Sequence, residues 1–251
     1  MSTLALPTVD EEIWRYSRIG ELELDSFKLG KLSTKVDASS AAKQIISSTT
    51  NVVSRTSTDI FEDLNGQHAQ LTAITTAKNQ VVAEPIVITH SLDESGVVAY
   101  SRLVVEANEN SEVTIVERFV SSADAKSLIV PVVDVRAAQS ARVTYVAINE
   151  LGAATWQIGY QQAVGQRDST MQMFTVALGG DYARMRAEVR LEGQGASAQQ
   201  VALYFADENQ MHDFRTLQDH AAPRTHSNLL FKGAVKDTAK SVYTGLIRIR
   251  E

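Results

Sequence analysis

The sequence predicts a mainly all-β protein, a parallel β-helix preceded by a small helical or irregular N-terminal portion. Three observations support this class. Short apolar runs rich in Val, Ile, Thr, Tyr and Phe follow one another from about residue 70. Two stretches repeat weakly at a fixed offset, as expected of a solenoid. Hairpin signals are missing after Asn65-Gly66. A sandwich or jelly roll is the competing architecture.

Composition limits the class of protein. The chain has 251 residues, a formal charge of −6 and no Cys. No basic stripe of a nucleic-acid-binding protein is present, and neither a disulfide scaffold nor a thiolate metal site can form from this chain alone. Residues 1–12 lack the pattern of a signal peptide, and no apolar run is long enough to cross a membrane. We therefore expect a cytoplasmic protein.

Residues 1–70 are expected to form the N-terminal portion, and residues 71–251 the β-helix core. In the first part, Asp10 is placed to cap a short helix. Trp14 and its apolar neighbours then provide a local anchor. Trp156, in a strand-like context, is likewise interpreted as a buried anchor rather than a stacking platform.

A Ser- and Thr-rich stretch, residues 38–58, predicts loop, with Val52-Val53 as a possible short strand inside it. A better helix begins at Asp59. Asp59 and Glu62 have the spacing of a capping box, and Gly66 is the expected helix end.

The apolar runs after residue 70 predict the strands of the core. Residues 105–116 align with residues 135–146 at an offset of 30, with five of twelve positions identical. A second, imperfect echo pairs residues 176–179 with 189–193. The predicted strand segments are Val81–Val82, Ile86–Ile88, Leu103–Val105, Val113–Val116, Leu128–Val135, Val143–Ile148, Met171–Leu178, Val201–Phe205 and Gly245–Ile249.

The most distinctive motifs lie in the last fifty residues. They read His-Asp-Phe-Arg-Thr at 212–216, Gln-Asp-His at 218–220, Pro-Arg-Thr-His-Ser at 223–227 and Lys-Gly-Ala-Val at 232–235. Together with Trp-Arg-Tyr-Ser at 14–17, this pattern resembles the SufB/SufD family of the SUF iron–sulfur cluster assembly system, and within it the SufD branch. The resemblance extends over nearly the whole chain.

The resemblance implies a right-handed parallel β-helix and a scaffold role rather than catalysis. It implies pairing with a SufB-like paralogue and a SufC-like ATPase, with an iron–sulfur cluster present only in that complex and none bound by this chain alone. Family members normally continue beyond the segment that matches Ile247, through a Cys-Ser-His-type motif and C-terminal helices. We therefore expect the core to be truncated at its C-terminal end.

The histidines of the motif region invite a metal hypothesis. His212, His220 and His226 have spacings that match no standard zinc motif. We favour packing, hydrogen-bonding or interface roles for them. His68 and His90 are isolated and are interpreted as surface or turn residues.

The acidic and basic residues of the same region suggest an alternative function, a polysaccharide-binding or polysaccharide-lyase β-helix. The candidates are Asp213, Asp219, Asp237, Lys232 and Arg224. The competing and favoured interpretation is that they are turn-forming aspartates and solvated cations at coil corners. The glycines at 179–180 and 193–195 are likewise read as turns, because neither pair has a phosphate-loop ending.

No catalytic, cofactor-binding or metal residue is therefore assigned. His212, Asp213, His220, His226 and Lys232 are motif positions of unknown role. The apolar segment at the end of the chain predicts an uncapped coil end, which usually marks an interaction site. We expect this end to be covered by a second copy in a homodimer, by SufB or by residues absent from this sequence. The residues expected to pack in that layer are Leu246, Ile247 and Ile249.

Overall fold

The computed structural model describes residues 4–49 and 57–250. The predicted strand at Val52-Val53 lies outside the described residues. In these ranges the chain begins with three single-turn 3₁₀ helices and continues with two α-helices and a series of strands. The 3₁₀ helices span Glu12–Trp14, Ile19–Glu21 and Leu24–Ser26, and the α-helices are α1 Ser40–Lys43 and α2 Ile60–His68. No described helix has the length and apolar character needed to cross a bilayer.

The strands run from the N-terminal segment to the end of the described chain. Their bounds are β1 Lys28–Leu29, β2 Ser33–Asp37, β3 Ile46–Ser47, β4 Gln70–Thr75, β5 Ile86–Ser91, β6 Val97–Ala107, β7 Glu112–Val120, β8 Leu128–Ala137, β9 Arg142–Glu150, β10 Trp156–Gly165, β11 Thr170–Ala177, β12 Tyr182–Leu191, β13 Ser197–Ala206, β14 Met211–His220, β15 His226–Val235 and β16 Lys240–Ile249.

These strands stack into a β-solenoid of about six turns. In the described ranges, even-numbered strands from β4 to β16 form sheet A, extended by β3 and with β1 beside β6. The odd-numbered strands from β5 to β15 form sheet B, with β2 at its edge. Successive strands of each sheet pair in parallel from β4 and β5 onward, whereas β2 and β3 pair antiparallel. The predicted parallel β-helix is confirmed.

The offset of 30 residues between the two repeated stretches equals the length of one coil. Val113 pairs with Val143, and Val105 pairs with Val135, as the offset of 30 requires. The second predicted repeat, between residues 176–179 and 189–193, is wrong. Its first part begins in β11 and its second in β12, and these strands belong to different sheets, because β11 pairs with β13 and β12 pairs with β14. Val81 forms only an isolated bridge to Glu112 instead of the predicted strand.

The core fills the narrow space between the two sheets. In β7 and β9, alternate residues are buried, so one face of each strand points inward. The turns that lead from sheet A to sheet B after β6, β8 and β10 have four residues each, and each carries a left-handed residue with a short polar side chain. These residues include Asn110 (φ 55°), Ser140 (φ 58°) and Asp168 (φ 55°).

Two helix predictions require correction. Asp59 does cap α2, because its Oδ1 accepts hydrogen bonds from the backbone N–H groups of Phe61 and Glu62, but the helix continues through Gly66 to His68. The helix predicted after Asp10 is a single 3₁₀ turn whose N-cap is Glu11, and no side chain caps it.

The N-terminal segment, called the strap below and defined as residues 12–27, lies across the outer face of sheet A. Its Trp14, Ile19 and Leu22 are buried against outward residues of the sheet such as Tyr100 and Ile158. Because this contact removes the outer face of sheet A from water, the strands beneath it carry buried residues on both faces.

Candidate functional site

The motif segment at 212–220 is strand β14, and its residues alternate between two environments. His212, Phe214, Thr216, Gln218 and His220 point into the solenoid, whereas the residues between them point to the outer face of sheet A. The segment is therefore a strand rather than the coil corner expected for its aspartates. The aspartates of this strand are buried: Asp213 has 0% and Asp219 3% of its surface exposed.

Asp213 is the centre of a buried ion cluster under the strap. Arg184 donates a short hydrogen bond from Nη1 to its Oδ2, and the Tyr182 hydroxyl donates to the same oxygen at 2.9 Å. The Arg215 Nε atom lies 2.9 Å from Oδ1. Burial first, and then the charge of Asp213, raises the pKa of Tyr182. The expectation that Asp213 is a turn residue is therefore wrong.

This cluster joins two sequence motifs that are about two hundred residues apart. Arg184 donates from Nη2 to the Ile13 carbonyl at 2.6 Å, and its guanidinium lies 4.0 Å from the centre of the Trp14 ring. Arg215 donates from Nη2 to the Arg15 carbonyl. The Trp-Arg-Tyr-Ser motif of the strap is thus bound by the arginines of β12 and β14.

Arg18 forms a third contact between the strap and the solenoid, in addition to those of Arg184 and Arg215. Arg18 donates to Asp181 Oδ1 at 2.7 Å, and the Trp156 Nε1–H donates to Asp181 Oδ2 at 2.8 Å. The Arg18 guanidinium also lies over the Trp156 ring, 5.1 Å from its centre. Trp14 is buried and Trp156 is half-buried, in keeping with their prediction as anchors.

Sequence reasoning missed the residues that bind Asp213, although a signal was present. Residues 182–191 read Tyr-Ala-Arg-Met-Arg-Ala-Glu-Val-Arg-Leu, which alternates polar and apolar residues with the period of a strand. That pattern predicts a strand with a charged outer face, but it does not show that the strap covers this face.

A second buried polar group lies inside the solenoid between sheet B strands. His90 Nε2 lies 2.9 Å from Glu117 Oε1, and the Tyr145 hydroxyl donates to Glu117 Oε2 at 2.6 Å. Thr34 Oγ1 lies 2.9 Å from the other ring nitrogen of His90. In the neutral tautomer whose Nε2–H donates to Glu117, Nδ1 accepts from the Thr34 hydroxyl. His90 is 2% exposed, so its interpretation as a surface or turn residue is wrong.

The three motif histidines do not come together. His212 and His220 lie at opposite ends of β14, and His226 begins β15 in the other sheet. His220 is held across its turn by Thr225 Oγ1 at 2.7 Å and Ser227 Oγ at 2.9 Å. Among residues 4–49 and 57–250, no group of three or more His, Asp or Glu side chains is placed to hold a metal ion.

His212 lies fully inside the solenoid, whereas the other two histidines are near its surface. Burial lowers the pKa of His212, and the nearby backbone of Gly179 offsets part of this effect. Its ring contacts the aromatic rings of Tyr204 and Phe214, with centroids 6.2 Å and 6.3 Å away. This arrangement favours a neutral imidazole in the core.

The residues of the alternative lyase hypothesis are likewise dispersed. Asp219 lies on sheet A, where Arg250 donates two hydrogen bonds to its carboxylate at 2.6 Å and 2.9 Å and lowers its pKa. Lys232 is exposed on the outer face of sheet B. Asp237 (φ 56°) and Arg224 (φ 58°) occupy turns, in agreement with the turn interpretation.

The predicted end-layer residues lie on β16, which is the last strand in the order of sheet A. Ile247 pairs with Gln218 and Ile249 with His220, so both belong to the inward row, while Leu246 pairs with Leu217 in the outward row. Ile247 is 62% exposed, Ile249 80% and Leu246 53%. Leu246 lines a groove of about 320 Å³ between β16 and the strap. The three residues thus face two different surfaces.

Comparison with known proteins agrees with this architecture. Residues 87–251 match the family model described as SUF system FeS cluster assembly, SufBD core domain. An iron–sulfur cluster assembly SufBD family protein of Mycobacterium tuberculosis is 36% identical over 172 residues, which is 68% of this chain and 42% of that protein.

Two more distant relatives carry the name iron–sulfur cluster assembly protein SufD. The protein of Escherichia coli is 24% identical over 198 residues, covering 77% of this chain and 47% of its own length. The protein of Bacillus subtilis is 22% identical over 174 residues, covering 68% and 40%. This chain therefore spans less than half the length of the relatives it matches. The family match over most of the chain, on the stacked coils that carry its motifs, shows that the chain belongs to the SufBD family.

Proposed function

We propose that this chain is a non-enzymatic scaffold subunit in SUF iron–sulfur cluster assembly and works in the cytoplasm. In this role it pairs with a SufB-like paralogue and a SufC-like ATPase. One observation carries the proposal: the family match begins at residue 87 and follows the parallel coils from β5 onward. The names of the relatives support the assignment to the pathway.

The arrangement of the motif residues favours a structural role over catalysis. Asp213 and its arginine partners are buried and contact one another and the strap, so solvent and a dissolved substrate do not reach them. In this role, the chain provides surfaces that bind the other subunits. Ile247 and Ile249, which are exposed in the inward row of the last sheet A strand, are our candidates for contact with the paralogue.

Co-expression with the SufB-like and SufC-like proteins of the same genome tests the proposal. We expect a tagged chain to retain the SufB-like protein through affinity and size-exclusion steps. Ile247→Asp with Ile249→Asp should abolish retention, because two charges would enter an apolar contact. Leu29→Asp, at a residue that is 60% exposed on β1, is the matched control and should leave retention unchanged. Failure of the unmodified chain to retain the paralogue would contradict the proposal.

The proposal also expects the isolated chain to hold no stable cluster. Clusters are held mainly by Cys thiolates, and this sequence has no Cys. Anaerobic reconstitution followed by iron analysis and visible absorption should therefore give no stoichiometric iron with the chain alone. Sulfide-to-iron charge-transfer bands on the isolated chain would overturn this part of the proposal.

A further inference from the structure

The outer face of sheet B carries a group of apolar side chains on its later strands. Outward residues of neighbouring strands are in register, so that Phe174 pairs with Val201, and Val201 pairs with Leu230. In the next outward row, Val176 pairs with Leu203, and Leu203 pairs with Lys232. With their neighbours they form one surface, which we call the β13 patch: Phe174, Val176, Leu178, Val201, Leu203, Phe205, Leu230 and Lys232.

The β13 patch is open to solvent, in contrast to the outer face of sheet A. Leu203 is 57% exposed, Leu230 46%, Leu178 45% and Phe205 43%. The strap and α2 bury the corresponding outward residues of sheet A, such as Tyr100 at 4%. These apolar residues are contiguous, because they lie in register across β11, β13 and β15.

Lys232 lies at the edge of the apolar rows, where it pairs with Leu203 across the strands. Lys232 has no carboxylate within ion-pair distance among the residues that the structure describes, whereas Arg118, on the same outer face, is already paired with Glu150 at 2.6 Å. A partner that covers the patch would bring Lys232 into an apolar contact. It would therefore need to supply an acidic group.

The size of the patch discriminates between possible occupants. Three strands at a spacing of about 4.8 Å and five residues at about 3.3 Å each give an area on the order of 200 Å². A stable contact between two copies buries about 800 Å² on each partner, so the apolar patch is too small to hold a second copy by itself. An α-helix about 10 Å in diameter covers the patch with about three turns.

We propose that the β13 patch binds an amphipathic helix of a partner protein. The helix would lay apolar residues spaced i, i+3, i+4 and i+7 on Leu203, Phe205 and Leu230, and place a Glu or Asp opposite Lys232. Helices that bind in this way are recognised through such anchors. Because the patch lies on the face of a sheet, the contact uses side chains and not the backbone edge.

Labelled helical peptides of about 18 residues, long enough for about five helical turns, test the proposal by fluorescence anisotropy with the full chain. One peptide carries a leucine stripe flanked by glutamates, and a second carries lysines in place of the glutamates. We expect the acidic peptide to bind at least about tenfold more tightly, which corresponds to about 1.4 kcal/mol. Lys232→Glu should reverse the preference, and Leu203→Glu should abolish binding of both peptides. Leu29→Glu, which changes an equally exposed leucine outside the patch, should change neither.

Circular dichroism of each variant verifies that the solenoid is intact. Absence of acidic-peptide binding to the unmodified chain, an unchanged preference in Lys232→Glu, or an equal effect of Leu29→Glu would each overturn the proposal. Sedimentation across a concentration series provides a further test. A dimer that Leu203→Glu dissociates would show that a second copy, and not a helix, occupies the patch.

Discussion

Asp213 shows how one buried carboxylate organises its surroundings. Two guanidinium groups and a phenol converge on it, and the same guanidinium groups reach the strap carbonyls of Ile13 and Arg15. The carboxylate compensates part of the cost of burying two cations, and the carbonyls satisfy further N–H groups. The cluster therefore depends on all of its members.

We predict that Asp213→Asn destabilises the protein by about 3–5 kcal/mol, because it leaves buried arginines without their counterion. Chemical denaturation measures the free energy of unfolding. Asp237→Asn is the matched control, since Asp237 lies in an exposed turn at a positive φ that Asn also tolerates. Its effect should stay within about 0.5 kcal/mol. Equal losses in the two variants would contradict a special role for Asp213.

His212 gives a prediction of pH dependence. Its pKa in the folded protein is lowered below 6.5, chiefly by burial, so the unfolded chain binds more protons at mildly acidic pH. The free energy of unfolding should consequently fall as pH drops below about 6.5, and the contribution of His212 should be complete above that value.

His212→Gln should reduce this slope in denaturant titrations performed from pH 7.5 to 5. His68→Gln is the control, because it removes an exposed imidazole at the end of α2, and an equal reduction of the slope in both variants would contradict the prediction. A slope that persists in His212→Gln would assign the proton uptake to a group other than His212.

At the scale of elements, the strap acts as the cover of sheet A. Trp14 contacts both the Arg184 guanidinium and the Phe61 ring of α2, whose centroid is 5.6 Å away. One side chain thus links the strap, α2 and β12. The adjacent Tyr16 is 71% exposed and adopts a left-handed conformation (φ 66°) as the strap turns.

Trp14→Ala should cost about 3–5 kcal/mol, because it removes a large buried ring and its contact with a cation. Tyr16→Ala, only two residues away, should cost less than about 1 kcal/mol. Thermal and urea denaturation of the two variants measure the difference. Similar stabilities for both would mean that the strap is not packed as described.

The elements also show how far sequence reasoning reaches. Strands such as β7 and β9 could be predicted because their inward rows begin with Val, Ile and Tyr and their repeat has the length of one coil. Strand β14 was recognised only as a motif, since His, Asp, Arg and Gln hide the alternation of a strand. Its outward charges are buried only because the strap covers them, a tertiary contact that local pattern does not encode.

The sequence motifs of the candidate site were recognised, but the contacts between them were not predicted. The Trp-Arg-Tyr-Ser and His-Asp-Phe-Arg-Thr motifs were each visible, but their contact through Arg184 and Arg215 joins residues far apart in the chain. The Glu117 and His90 pair was missed for the same reason, since the two residues lie on neighbouring coils. The four-residue turns with Asn, Ser or Asp after β6, β8 and β10 were an available signal for the stacking, because those residues tolerate a positive φ.

At the scale of the whole molecule, a solenoid is a nearly one-dimensional stack. Each coil contacts chiefly its neighbours, so such stacks tend to unfold from their ends. The strap departs from this rule, because it packs on Tyr100 of β6 and on Val130 of β8 and is also bound by Arg184 of β12 and Arg215 of β14. It therefore connects early coils with late ones.

This connection predicts that the late coils lose protection when their anchor to the strap is removed. In hydrogen exchange followed by mass spectrometry, amides of β12 and β14 in Arg184→Met should exchange at least about tenfold faster than in the unmodified chain, which corresponds to about 1.4 kcal/mol. Amides of β8, which the remaining strap contacts still cover, should change much less.

Arg118→Met is the control, because Arg118 forms a half-exposed ion pair with Glu150 on sheet B and touches no part of the strap. Uniform acceleration from β6 to β14 in Arg184→Met would mean that the solenoid unfolds as one unit and that the anchor adds only global stability. Unchanged exchange in β12 and β14 would mean that neighbouring coils protect them without the strap. Selective loss in the late coils is expected only if the strap transmits stability along the stack.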